Sequence, residues 1–422
     1  MPTPMPSRRD LLRLISAAGA AACIPPFAEA VSLHAADLKK RGKACILLWM
    51  SGGPSQFETF SPLENHKNSG GTKAIATSVP GMQFAEYWPQ AASVADHLAV
   101  IRSMTSKEGS HPRASYLLHT GYLPNPSARH PALGSIVASQ LATRDAGETG
   151  DLPPIVRIGG RDRGDSGGGL LGRQWDPFDL RDATASPDNT VPPVPADRHM
   201  RRLGLMEQLG SGFAKSLPQE AADHAGLYRR ATTMILSPSM AAFDVDAEPE
   251  AVRAEYGEGS FASGCLLARR LIEHGVSCVE VVSNGWDTHQ DNFEKVKDLA
   301  GEVDRPYAAL IRDLERRGML DDTLVIWMGE FGRTPQVNPR GGRDHFPRSF
   351  NAVLAGGGVA GGAVVGRTDK AGVEVADRPV TVPDLFATFC KSMGIDPTIE
   401  NMASSGRPIK LVDGGEAVHE LF

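Results

Sequence analysis

The chain has 422 residues, of which 41% are apolar and 22% charged, and its formal charge is −6 at pH 7. That is the make-up of a folded globular protein with room for a substantial core, and its acidic balance excludes the basic face that nucleic acid requires. The 45 Gly and 31 Pro speak for a compact α/β scaffold with long loops rather than a helical bundle.

At the N-terminus, Ser7-Arg8-Arg9-Asp10-Leu11-Leu12 resembles the twin-arginine consensus. An Ala-rich apolar stretch, Leu14 to Phe27, follows, and Ala28-Glu29-Ala30 puts small residues where signal peptidase reads. This predicts a twin-arginine signal peptide over residues 1–30, a periplasmic or secreted destination, and one mature domain over 31–422. The apolar stretch is too short and too Ala-rich to favour a membrane anchor, so no span is expected in the mature protein. Lipidation at Cys23 would want a Leu at position 20, where Ala stands.

The first strand is predicted over Ala44–Met50 (ACILLWM), an unbroken apolar run suited to a sheet covered on both faces. It stops at the breaker cluster Ser51-Gly52-Gly53-Pro54. Leu98–Ile101 and Ile155–Ile158 read as short strands, and 159–199 as a long loop insertion or lid. Helical patterns fill Met200–Gly275 and close on a basic turn and a glycine. Then come strand Val276–Val282, helix Phe293–Arg317, strand Thr323–Met328, strand Phe350–Leu354 and helix Pro383–Met393. The alternation predicts an α/β fold with a mostly parallel central sheet and helices on both faces. Cys45, Cys265, Cys278 and Cys390 show no metal-type spacing and read as buried thiols rather than a disulfide.

Open α/β sheets bind ligands at the carboxyl ends of their strands, so the residues after each strand carry the chemistry. Val276–Val282 is followed by Asp287-Thr288-His289, a carboxylate and an imidazole two apart that suit Zn, Mn or Fe; the bland alternative makes Asp287 a helix cap. Thr323–Met328 is followed by Glu330 and Arg333. Arg333 is either a clamp for a tetrahedral oxyanion or the partner of Glu330 in an internal ion pair. Gly342-Arg343-Asp344-His345 adds two more donors, serving two ions or one ion and its surroundings. His111 follows the second strand, as a ligand or as a surface or capping residue. Together these predict a one- or two-metal site at one sheet edge.

With these motifs quoted, the chain resembles, from about Ala44 to Pro408, the sulfatase-like family catalogued as domain of unknown function 1501, related to the alkaline phosphatase superfamily. The carrying motifs are Gly52-Gly53-Pro54-Ser55, Gly285-Trp286-Asp287-Thr288-His289, Glu330-Phe331-Gly332-Arg333-Thr334-Pro335 and Gly342-Arg343-Asp344-His345. The resemblance implies an alkaline-phosphatase-like three-layer sandwich and one or two divalent ions, Zn, Mn or Ca. It further implies a hydrolase acting on a sulfate or phosphate ester of a small molecule or glycan. Metal ligands would come from Asp287, His289, Glu330, Asp344, His345 and His111, the oxyanion site from Arg333, and the nucleophile from water, Thr59 or Ser55. The chain departs from the family pattern at Gln56, Glu58 and Ser61, where a His and two Asp are common, and at Phe331, where relatives have a His. Those departures leave open a degenerate member that binds an anionic glycan or a partner protein without turnover.

Overall fold

The computed structural model describes residues 42–144, 151–160, 167–192, 194–216, 218–403 and 406–422. The predicted leader lies outside these residues, as does part of the predicted 159–199 loop. Nine strands form the central sheet: β1 (Ala44–Met50), β2 (Leu98–Thr105), β3 (Ile155–Ile158), β4 (Phe178–Leu180), β5 (Cys278–Ser283), β6 (Thr323–Met328), β7 (Phe350–Ala355), β8 (Val364–Val365) and β9 (Val380–Thr381). Their order is β8-β2-β7-β6-β1-β5-β3-β4, with β9 also on β2. The run β6-β1-β5-β3-β4 is parallel throughout, and β7 alone is antiparallel, to both β2 and β6.

Strand β1 shows why an unbroken apolar run belongs at the centre. Ile46, Leu48 and Met50 join the core on one face of the sheet, with α5 (Ser260–Glu273) and α6 (Asn292–Arg316). Cys45, Leu47 and Trp49 join the opposite core, with α1 (His111–Thr120), α2 (Leu133–Arg144) and α7 (Val382–Met393). Side chains alternate across a strand, so a strand roofed on both sides must be apolar at every position. The fold is therefore α/β, with a mostly parallel sheet between two helical layers. Helices α3 (Ala196–Ser216) and α4 (Pro218–Leu236) pack on each other.

The structure differs from the sequence expectation in three places. Helices α1 and α2 were not foreseen, so His111 opens a helix rather than lying in a loop. The predicted loop contains strand β4 and two short 3-10 turns. The direction of β7 was not foreseen either. All four described cysteines are buried and free; Cys45 and Cys278 stand side by side in register without a bond. Among the described residues, no helix is long and apolar enough to cross a membrane.

Candidate metal centre

The loops after β1, β5 and β6, three adjacent parallel strands, meet at one sheet edge. Gly52 lies at φ +118° after β1, and a Cβ there would sit 2.4 Å from the Asp287 amide nitrogen, so only glycine lets the two loops touch. The loop after β5 is fixed by Thr288 Oγ1, which donates to Asn292 Oδ1 at 2.6 Å. The residue at the N-terminal cap position of α6 is Asp291, so Asp287 is not its cap. A Cβ on Gly342 would fall 2.0 Å from the His289 carbonyl oxygen, which shows how closely the 342–345 segment lies on the 287–290 loop. That segment pairs with the loop after β6, His345 opposite Arg333.

Three imidazoles converge on one carboxylate. Each Nδ1 is held from behind: His111 by Glu330 Oε1 at 2.6 Å, His289 by Asp344 Oδ1 at 2.7 Å, and His345 by the Gly109 carbonyl oxygen at 2.8 Å. A carboxylate or carbonyl at Nδ1 keeps the proton there and leaves the Nε2 lone pair facing forward. The forward nitrogens surround Asp287, His111 at 3.3 Å from Oδ2, His289 at 3.2 Å and His345 at 3.3 Å from Oδ1. His289 Nε2 and His345 Nε2 are 2.9 Å apart. His111 Nε2 is buried and makes no hydrogen bond among the described residues.

Two nitrogen lone pairs at that separation repel unless a cation or a shared proton lies between them. A tetrahedral ion with bonds of about 2.0–2.1 Å sets its donors about 3.3 Å apart, which the imidazole–Asp287 spacings match, while the His289–His345 pair is closer. Donor atoms of His111, Asp287 and His345 all lie within 4.8 Å of one another. Burial holds the His345 pKa below the ordinary value, favouring the neutral ring a ligand needs. Burial also opposes charge on His111, but Glu330 outweighs it and raises that pKa. Asp287 is pulled down to about 2: burial works against its charge, while Arg333, His111 and His289 outweigh burial.

Arg333 points inward. It is fully buried, with Nε donating to Gly53 O at 2.8 Å, Nη1 to Arg343 O at 3.1 Å, and Nη2 to Gly52 O, Trp286 O and Asp287 Oδ1, the last at 2.6 Å. A guanidinium spent on backbone carbonyls is not a clamp for an incoming oxyanion, so its role is to hold Asp287. Glu330, 1% exposed, accepts from the Gly52 amide at 3.0 and 3.2 Å and faces His111, not Arg333; it stands behind the imidazole. Asp344 likewise stands behind His289.

The residues after β1 serve the interior. Ser55 and Thr59 are fully buried; the Thr59 hydroxyl donates to Ser55 O at 2.9 Å and accepts from Asn351 Nδ2 at 3.3 Å. Neither hydroxyl is open to a substrate. Gln56 exchanges two backbone-like bonds with Arg333, and Ser61 bonds Asn351. Glu58 forms a fully buried pair with Arg343, at 2.7 Å to Nη2 and 3.1 Å to Nε, and also accepts from Asn292 at 2.9 Å. Arg343 further donates to the carbonyls of Asn68, Thr334 and Pro335 and lies between the rings of Phe57 and Phe293. Sequence reasoning passed over Arg343, and a basic residue between paired glycines and Asp-His was the available signal.

No curated protein matches the sequence. Solved structures with a similar course of chain include the PsFucS1 sulfatase from Pseudoalteromonas sp., at 13% identity and TM-score 0.40, covering 88% of this chain and 72% of that one. The lipoteichoic acid synthase LtaP from Listeria monocytogenes is similar at 9% identity and TM-score 0.41, covering 84% and 72%. The C-terminal periplasmic domain of EcEptC from Escherichia coli, in complex with Zn, is similar at 9% identity and TM-score 0.37, covering 90% and 92%. The family described as protein of unknown function (DUF1501) matches residues 42–422, the full span of the described residues, and the protein belongs to it.

Proposed function

We propose that the chain is an exported metal-dependent hydrolase of sulfate or phosphate esters, with a divalent ion held by His111, Asp287 and His345 and with His289 beside them. The observation that carries this reading is the convergence of three back-anchored imidazoles on Asp287, with His289 and His345 presenting nitrogen to nitrogen at 2.9 Å. Nitrogen donors with one carboxylate suit Zn best. A bound ion of this kind supplies a Lewis acid for an ester oxygen and lowers the pKa of a coordinated water toward neutrality. Asp344 and Gly109 fix the rings of His289 and His345, Glu330 fixes His111, and Arg333 fixes Asp287. The Asp287 and Asp344 side chains are 45% and 53% exposed, which leaves an open side for the ester.

Water is the nucleophile in this reading, since the hydroxyls of Ser55 and Thr59 are sealed. The same observation favours a second reading, binding of an anionic glycan or partner protein without turnover. Elemental analysis of protein purified without chelators, followed by assay of nitrophenyl sulfate and nitrophenyl phosphate with Asp287→Ala as control, separates the two. Metal with turnover lost in Asp287→Ala supports the hydrolase. Metal without turnover supports the binding protein, and no metal removes both the ion and the hydrolase. Sequencing the N-terminus of the exported protein tests cleavage after Ala30.

A further inference from the structure

Helices α3 and α4 form a pair that the rest of the molecule hardly covers. Among their described side chains none of α3 is buried, and in α4 only Thr232 and Met234 are, both near its end. His199 Nε2 lies 3.3 Å from Thr232 Oγ1, so the two helices run antiparallel, the start of one beside the end of the other. Helices in proteins gain most of their stability by burying an apolar stripe. Here a stripe exists and faces outward.

On α3, Arg198, Arg202, Leu205 and Leu209 recur at spacings of three and four, which stacks them on one face, and all four are exposed. On α4, His224, Leu227, Tyr228 and Ala231 do the same, with the rings of His224 and Tyr228 4.7 Å apart. At about 3.6 residues per turn, each stripe lies about a quarter turn from the His199–Thr232 contact, in the same rotational sense. In an antiparallel pair that puts both stripes on one side. Leu205 and Leu209 are 56% and 77% exposed, and Leu227 and Tyr228 40% and 46%. Single exposed apolar side chains need no partner, whereas a contiguous patch marks an interaction face.

Charge selects the partner. Arg201 is taken by Asp197 at 2.6 Å, but Arg198 and Arg202 form no ion pair among the described residues. Between Arg198 and Leu209 on the α3 stripe, and between His224 and Ala231 on α4, there is no carboxylate. A second copy of the chain would therefore bring more uncompensated arginines to the same face. The arginines lie toward the body of the protein and the leucines toward the turn between the helices, with Leu209 about 10 Å beyond Arg202. Helices that lie in a membrane interface share this layout: apolar side chains enter the acyl boundary to about 5–10 Å, and arginines stay with the lipid phosphates.

We propose that this face of the α3–α4 hairpin seats the protein on an anionic lipid surface. The proposal stands apart from the hydrolase reading. The test is flotation of the full chain with vesicles of phosphatidylglycerol and phosphatidylcholine in equal parts, and with phosphatidylcholine alone. Hydrogen exchange read by mass spectrometry shows which segment the lipid covers. The expected result is at least tenfold tighter binding to the anionic vesicles, weakened by salt, with exchange slowed over residues 196–236. The double variants Arg198→Glu/Arg202→Glu and Leu205→Gln/Leu209→Gln should each lose at least tenfold in affinity with the melting temperature unchanged. All four positions are exposed and Gln is a good helix former, so both variants should fold; if one does not, the other carries the comparison. The N-terminal 30 residues are common to every sample, and exchange over 196–236 separates the hairpin's contact from any of theirs. Equal binding to neutral vesicles, unchanged exchange over 196–236, or parental affinity in the folded variants overturns the proposal. Self-association in sedimentation velocity without lipid, abolished by Leu205→Gln/Leu209→Gln, would assign the face to a second copy and overturn it too.

Discussion

Replacing Glu330 by Gln tests whether the buried carboxylate organises the centre. Glu330 receives two donors, the Gly52 amide at 3.0 and 3.2 Å and His111 Nδ1 at 2.6 Å. Both donors reach Oε1 and the Gly52 amide also reaches Oε2, so a Gln with its oxygen at the Oε1 position keeps His111 but turns its NH₂ toward the Gly52 N–H, and in the other orientation both donors face an N–H. An unpaired buried donor costs about 1–3 kcal/mol. If the mismatch falls on His111, the ring relieves it by moving its proton to Nε2, which removes the lone pair aimed at the ion. Loss of such a supporting partner costs about 10–100-fold in metal affinity, or roughly 1.4–2.8 kcal/mol at 1.4 kcal/mol per decade. The assay is Zn competition against a chromophoric chelator, with thermal melts of stripped and loaded protein alongside. A Glu330→Gln protein whose Zn affinity stays within twofold of the parent, with an unchanged melt, would refute the reasoning.

Arg343→Met should destabilise the protein by about 3–5 kcal/mol, because it leaves Glu58 charged and buried. Adding Glu58→Gln should recover part of the loss, and strictly additive losses in urea unfolding would show that the two residues are not a pair. Glu280 is buried; burial opposes its charge, but Arg157 and His119 outweigh it and hold the carboxyl at about 2. Its folded pKa lies below its unfolded one, so it adds stability above about pH 4.5, lost as pH falls toward 2. Glu280→Gln should flatten the acid limb of a denaturant-midpoint profile, and an unchanged limb would count against the pairing.

Much of the sheet was legible because burial on both faces leaves a mark that periodicity can find. Ala44–Met50 is apolar at every position and Thr323–Met328 at every position after Thr323, and both are central strands. The direction of β7 left no such mark, since Phe350–Ala355 reads the same whichever way it runs. Helix α1 was hidden by Pro112 and by a mixed sequence whose buried polar residues, His119 among them, break the apolar stripe. At the site, residue types and their place after strands pointed to Asp287, His289, His345 and His111, which the structure gathers. Roles within the group were not legible. Whether Glu330 faces an ion or the back of an imidazole is decided by Gly52, 278 positions away, and whether Arg333 faces solvent is decided by carbonyls of three other loops. The Gly109 carbonyl that fixes His345 belongs to the backbone and carries no sequence signal.

That separation along the chain governs how the centre comes into being. Residues from 109 to 345 supply the donors and their supports, so no partial length of polypeptide ending before the last of them can hold the complete set. Contacts between such remote positions form late, after the cost of closing large loops has been met. Ion capture would therefore report on completed folding, and a nascent or truncated chain should neither scavenge metal nor be stabilised by it.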